Sequence, residues 1–388
     1  MSLPDAPHFE GRDIVCFAND WSGDPLSKKH VMRRLARHNR VLWVNSLGNR
    51  APRATARDLS RVFEKLRRFA GGLTQVEPNI HVISPLAVPI YRSAIVRRVN
   101  QWIVGATVRA AMARLGFKRP IVYTFVPASA WVARELGAEQ VIYHCVDEYS
   151  AFDGAGPEIA RLEAELIEKS DLVITCSEPL EREKSALHPR TVLIRHGVEY
   201  GHFSRALEEA VPDEIARLPK PVLGFFGLLA EWVDLSLLAD IAEAFPHGSL
   251  VLVGEINNAN VAGLARLTAL PNVHLLGRRP YQDLPSYCHG FDVALLPFVK
   301  NDLTEKASPL KLREYLAAGL PVVATRIPEA ESLVHYGVKV ADDSAGFITA
   351  IRQWIGEGAG LSRARSEGMA GESWDAKVAE IERNLLSL

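Results

Sequence analysis

The feature that most constrains this chain is a repeating alternation. Short runs that are apolar along their whole length are each followed by a Gly-, Pro- or Asp-containing turn and a helical pattern. In the first half these runs fall at Ile14–Ala18, Val41–Val44, His81–Ile83, Ile121–Thr124, Val141–His144, Leu172–Thr175 and Val192–Ile194. After a looser acidic, proline-containing stretch, RALEEAVPDEIARLPKP, the pattern restarts with VLGFFG, a helix from about Asp234, SLVLVGE, NVHLLG, a short helix near Leu284–Cys288, DVALLPF, VVAT and a C-terminal region of helices. Continuous apolar runs, rather than apolar–polar alternation, mark strands covered on both faces, as in parallel sheets wrapped by helices. The pattern predicts an α/β chain of two doubly wound, Rossmann-like domains facing a central cleft. Residues 1–205 form the first, residues 206–370 the second, and residues 371–388 a C-terminal helix. Ligands of such sheets bind beyond the carboxyl ends of the strands.

Composition removes several classes. With 48% hydrophobic and 23% charged residues the chain is an ordinary globular protein and not a disordered one. Its four cysteines, Cys16, Cys145, Cys176 and Cys288, are far apart and form no CxxC pair, so neither a zinc site nor a disulfide framework is expected, and a reducing cytoplasm fits. The start, MSLPDAPHFEGRD, carries no apolar signal core, and no window approaches eighteen uninterrupted apolar residues; neither secretion nor a membrane span is expected.

A net charge of −1 conceals an asymmetry: residues 1–120 hold 21 Lys and Arg against 8 Asp and Glu, leaving −14 for the remainder. The segment RATARDLSRVFEKLRRFAGG, from Arg53, sets Arg57, Arg61, Lys65 and Arg68 at helical spacing among Leu59, Val62, Leu66 and Phe69, and the stretch from Tyr91 to Arg119 repeats the theme. Such helices suit an anionic lipid surface on the inner face of a membrane. A solvated face over a core is the plain alternative, and nucleic acid is the least favoured because no recognition motif accompanies the charge.

The segment SPLKLREYLAAGLPVVAT, Ser308 to Thr325, carries the chemistry. Ser308 suits an N-cap, Pro309 the first helical position and Gly319 the residue past the end, which predicts a helix over 309–318 followed by a buried strand. Lys311 then lies near the positive end of the helix dipole, where a cation is unfavourable unless an anion sits there too. Backbone N–H groups at Leu310, the Ser308 hydroxyl and Lys311 would together seat a phosphate. Glu314, one turn on, would stand beside that seat and hold a sugar hydroxyl. A surface Lys–Glu pair on an ordinary helix remains the other reading.

Together with FFG at 225–227, LVGE at 252–255 and LLGRRPYQDLPSYCHGFDVALLPF from Leu275, this segment resembles a glycosyltransferase of the GT-B fold, of the retaining family-4 type found among teichuronic-acid and exopolysaccharide biosynthesis enzymes. HGVEYGHF, from His196, is similar to that family's Asn-Gly-Val-Asp segment. The resemblance implies a nucleotide-diphosphate sugar, with UDP the expected nucleotide, across the second domain and a lipid-linked or saccharide acceptor against the first, without metal or other cofactor. It implies that Gly227 turns toward the phosphates, that Glu314 holds the ribose, that Arg278 and Tyr281 contact the base, and that the last helix, SWDAKVAEIERNLLSL, crosses back to the first domain; an interaction helix is the alternative for that segment.

The chain also departs from the pattern. Lys306, beside Glu305, stands where relatives carry a first glutamate, and GLLAEWVD replaces the segment that brings an Arg and a Lys onto the pyrophosphate. In the first domain VIYHCVDEYSAF places Val146 at the position of the family's catalytic histidine and Asp147 at its aspartate. At a strand end, Asp147 could accept the acceptor's proton or merely cap the next turn. Asp20, Lys28 and His30, in the loop and helix NDWSGDPLSKKH after the first strand, occupy the acceptor side, where Lys28 and His30 could meet a phosphate. A nucleotide-sugar 2-epimerase and a non-catalytic nucleotide-sugar-binding partner are the alternative functions.

Overall fold

The computed structural model describes residues 9–46, 72–87, 94–152, 156–256 and 263–388. The chain divides into two compact units, Met1–Arg195 with Lys377–Leu388, and His196–Ala376.

In the first unit the strands are β1 (Asp13–Phe17), β2 (Arg40–Val44), β3 (Thr74–Glu77), β4 (Ile80–Ile83), β5 (Ile121–Thr124), β6 (Gln140–Cys145), β7 (Leu172–Thr175) and β8 (Thr191–Leu193). They form one sheet in the order β3-β4-β2-β1-β5-β6-β7-β8. Neighbours are parallel except β3, which runs antiparallel to β4 at the edge. The helices Ser27–Leu35, Ala94–Leu115, Pro157–Lys169 and Glu178–Ser185 belong to the connections between strands.

The second unit holds β9 (Val222–Phe226), β10 (Ser249–Val253), β11 (Val273–Leu275), β12 (Val293–Leu296), β13 (Val322–Thr325) and β14 (Val338–Ala341), all parallel, in the order β11-β10-β9-β12-β13-β14. Both sheets therefore reverse direction at their first strand: β1 lies between β2 and β5, and β9 between β10 and β12. In each, the crevice at the carboxyl end beside that strand is the place for a ligand. Apart from Asp13 at the start of β1, the central strands β1, β7, β9, β10, β12 and β13 are buried along their length, as their apolar runs require.

Three expectations need correction. Residues 196–205 group with the second unit, because Val198 and Phe203 lie in its core and Val198 pairs with Ser373 in a β-bridge. The C-terminal region is not helical throughout: β14 pairs with β13, extending the sheet after the turn at Gly337. The edge strand β3 is additional, its residues largely exposed and polar. The basic stretch from Arg53, with Arg57, Arg61, Lys65 and Arg68, lies outside the described residues, as do residues 91–93. The helix Trp374–Leu386 starts in the second unit and groups with the first from Lys377 onward.

Candidate functional site

In the second unit, β9 ends at Phe226 and the chain turns at Gly227, whose N–H donates to the Val253 carbonyl at 2.8 Å. Gly227 has φ +128°, and a Cβ there would stand 2.0 Å from Lys311 Cε and 2.7 Å from its Nζ. Only glycine lets the lysine lie against this turn. The amine also sits 5.9 Å from the centre of the Phe225 ring, within cation–π range. Tyr315 fixes the turn from below, its hydroxyl accepting the Phe226 N–H at 3.0 Å and its ring meeting Phe226 edge-on.

The helix carrying Lys311 spans Leu310–Ala318 and ends as expected at Gly319, with φ 91°. Its start differs from expectation. Pro309, with ψ 122°, takes the N-cap position, and no side chain caps the helix. Ser308 is pre-proline, which disfavours helical backbone, and its carbonyl accepts the Nδ1–H of His196 at 2.8 Å. Its hydroxyl is buried and has no hydrogen-bond partner among the described residues. The cluster thus presents an uncapped helix start at Leu310, an unused hydroxyl and an amine, all donors directed by one short segment.

Glu314 and Lys311 are half-buried. Burial raises the Glu314 carboxyl to about 7, against the opposing charge of Lys311. Burial likewise lowers the Lys311 ammonium, with Glu314 resisting. Between them on the same helix, Arg313 turns into the core and pairs with Glu329 at 2.5 Å. This buried pair had no distinct sequence signal beyond a charge in an apolar helix.

Arg278 is exposed. Tyr281 opens a short 3-10 helix, Tyr281–Asp283, and its ring stacks on His202 at 4.5 Å and meets Phe203 edge-on. Its carbonyl is 2.9 Å from His202 Nε2. The ring is therefore engaged in holding the HGVEYGHF segment to the second unit.

In the first unit, Lys28 is buried at the start of the helix after β1, and its ammonium donates to Asn19 Oδ1 at 3.0 Å and Tyr149 Oη at 3.2 Å. Both partners are neutral. Asp147, just past β6, supplies the neighbouring negative charge: burial raises its carboxyl to about 6, and Lys28 opposes the rise. Burial lowers Lys28, with Asp147 opposing. Lys28 and Asp147 thus lie near enough for each charge to act on the other. Asp20 instead braces a loop, with Oδ1 accepting the Ser46 N–H at 3.2 Å, and His30 is buried within its helix.

A second charged cluster in this unit was missed from sequence. Lys184 lies 3.0 Å from Glu163 and 3.6 Å from Glu148, all three buried. Glu163 also accepts from the Tyr143 hydroxyl at 2.6 Å. Burial disfavours the Lys184 charge, but the carboxylates outweigh it and raise the ammonium. A signal existed: Glu163 occupies the apolar stripe Ile159, Leu162, Leu166, Ile167 of its helix. Among the described residues no group of three or more His, Cys, Asp or Glu is arranged to hold a metal ion.

Residues 220–357 match the family model described as "Glycosyl transferases group 1". Over 383 residues the chain is 25% identical to TuaH of Bacillus subtilis (strain 168), named for a teichuronic acid biosynthesis glycosyltransferase, with 89% of each protein covered. Among solved structures it is similar to sucrose-phosphate synthase from Thermosynechococcus elongatus, with TM-score 0.71, 17% identity and coverage of 97% of this chain and 99% of that one. It is similar also to Anabaena HepE in complex with UDP-glucose, with TM-score 0.67, 17% identity and coverage of 97% and 100%. The second unit carries the match to a group 1 glycosyltransferase domain, and the chain as a whole has the α/β, GT-B fold of these solved structures.

Proposed function

We propose that the chain transfers a sugar from a UDP-sugar to a lipid-linked or polysaccharide acceptor during assembly of a cell-surface polysaccharide. The observation that carries this reading is the cluster at Gly227 and Ser308–Glu314: a turn that admits only glycine against Lys311, a buried hydroxyl with no partner among the described residues and an uncapped helix start. HepE bound to UDP-glucose, and TuaH by its name, support the donor and the pathway.

In this reading the bond between the sugar's anomeric carbon and the β-phosphate oxygen breaks, and a bond from that carbon to the acceptor oxygen forms. The leaving diphosphate gathers charge, which Ser308, the Leu310 N–H and Lys311 stabilise by donating to it. Glu314 takes the ribose hydroxyls; with its carboxyl near 7 it both accepts and donates close to neutral pH. Arg278 and Tyr281 lie on the base side. Asp147 receives the proton of the acceptor hydroxyl, for which a carboxyl raised to about 6 is better suited than an ordinary one. Lys28, held by Asn19 and Tyr149, acts through Asp147 and not on the acceptor, His30 stays buried in its helix, and the anomeric configuration is retained. No metal enters this scheme.

One sequence departure favours a second reading. Leu228 and the exposed Glu231 stand where an Arg and a Lys would hold the pyrophosphate, as a non-catalytic donor-binding partner would tolerate. The test is transfer of labelled sugar from UDP-sugars to a lipid or polysaccharide acceptor extracted from the source membranes. Labelled acceptor establishes the reading; donor binding without transfer or hydrolysis overturns it in favour of the binding partner. Interconversion of the free donor would instead point to the epimerase.

A further inference from the structure

We propose that the outer face of the helix Ala94–Leu115 docks the protein onto an anionic lipid bilayer. Ile95, Val99 and Trp102 lie on one face at spacings of four and three residues and are 77%, 47% and 71% exposed. The opposite face, with Val104, Val108, Ala111 and Met112, is buried in the first unit. The other large exposed apolar side chains among the described residues, such as Val334 and Ile355, are scattered, no two of them in one element; here three share one helix face.

Charge selects the occupant. Residues 94–119 contain six Lys and Arg and no Asp or Glu, and Arg98 and Arg109 are exposed on the flank of the apolar face. A bilayer with anionic headgroups satisfies both parts at once, since Trp and aliphatic side chains enter the interface while arginines meet phosphates. A second copy of this helix would set arginines against arginines with no acid in the segment to pair them. No helix among the described residues is long and apolar enough to cross a membrane, so the contact is with the surface. This deepens the proposed function and rests on it for the lipid-linked acceptor.

The test is co-sedimentation of the full chain with vesicles of phosphatidylcholine alone or mixed with phosphatidylglycerol, with UDP stabilisation measured on the same samples. The wild type is expected to bind the mixed vesicles, to leave them at high salt and to ignore phosphatidylcholine. The triple variant Ile95→Ser/Val99→Ser/Trp102→Ser is expected to lose binding at least about tenfold, and Arg98→Ala about fivefold. Both should keep the wild-type unfolding temperature and UDP response. Equal sedimentation of wild type and triple variant overturns the proposal, as does failure of the wild type to bind. A wild-type dimer that the triple variant splits assigns the face to a second copy instead. Loss of the UDP response in the wild type, with vesicle binding intact, would sink the functional reading and leave the docking surface standing.

Discussion

The two units use one sheet plan, and each places a lysine and a carboxylate past strand ends near its first strand, yet they treat the pair differently. Lys28 is buried and already donates to Asn19 and Tyr149, so its charge is spent on holding the first unit's loops and on Asp147. Lys311 is half-exposed beside Gly227, next to a hydroxyl that has no partner among the described residues. A satisfied cation tunes a neighbouring carboxylate; an unsatisfied cluster of donors waits for an anion. Under the proposed function, this difference suits proton transfer in the first unit and diphosphate binding in the second.

The largest effect that would sharpen this contrast is on turnover. Asp147→Asn is expected to lower the transfer rate by about 10²–10⁴-fold, with UDP affinity unchanged. In the wild type the rate should rise as pH climbs through about 6, because Asp147 must lose its proton before it can accept one. A variant that keeps full rate would move the base elsewhere.

Next is stability. Lys184→Met leaves Glu163 and Glu148 buried without their cation and should cost about 3–5 kcal/mol in denaturant unfolding, whereas Lys311→Ala should cost little, since no ion pair is broken. Equal losses would erase the distinction between structural and ligand-directed lysines. The same Lys311→Ala variant is expected to weaken UDP binding by about 10–100-fold, the range of a charge-assisted hydrogen bond. Gly227→Ala should act in the same direction, because the new Cβ displaces the lysine and strains a backbone at φ +128°, at a cost of about 1–3 kcal/mol.

The smallest effect concerns pH. Folding raises the Glu314 carboxyl to about 7, so between the ordinary carboxylate range and that value the native state holds a proton the unfolded chain has lost. Stability should therefore fall as pH rises through that window. Glu314→Gln removes this contribution, and its thermal unfolding should show a shallower decline; an unchanged slope would mean that another group carries it.

How far these features were legible depends on their range in sequence. The sheets were readable because strands covered on both faces must be apolar throughout; β14, VKVA, breaks its run with Lys339 at the sheet edge, and β3, TQVE, is polar because an edge strand can be solvated. The second-unit cluster was readable because Ser308, Leu310, Lys311 and Glu314 share one segment. Its helix start was misjudged by one residue, since the His196 bond to the Ser308 carbonyl is a tertiary contact that no local cap rule contains. The Glu148–Glu163–Lys184 cluster draws on three separate segments, and only the misplaced acid in an apolar stripe hints at it. The domain boundary was set too late because Phe203 and Val198 reveal their core only when the second unit is assembled.

The central claim is that the second unit's donor cluster binds a nucleoside diphosphate and the first unit's lysine does not. Thermal unfolding of the wild type, Lys311→Ala and Lys28→Ala, titrated with UDP, GDP, ADP and TDP with and without magnesium, tests it most directly. The expected result is metal-independent stabilisation by UDP of the wild type and of Lys28→Ala, about 2.7 kcal/mol at a hundredfold excess over the wild-type Kd, and only about 0.4–1.4 kcal/mol of Lys311→Ala at the same UDP concentration. Equal stabilisation of Lys311→Ala, or loss of the response in Lys28→Ala alone, would contradict it.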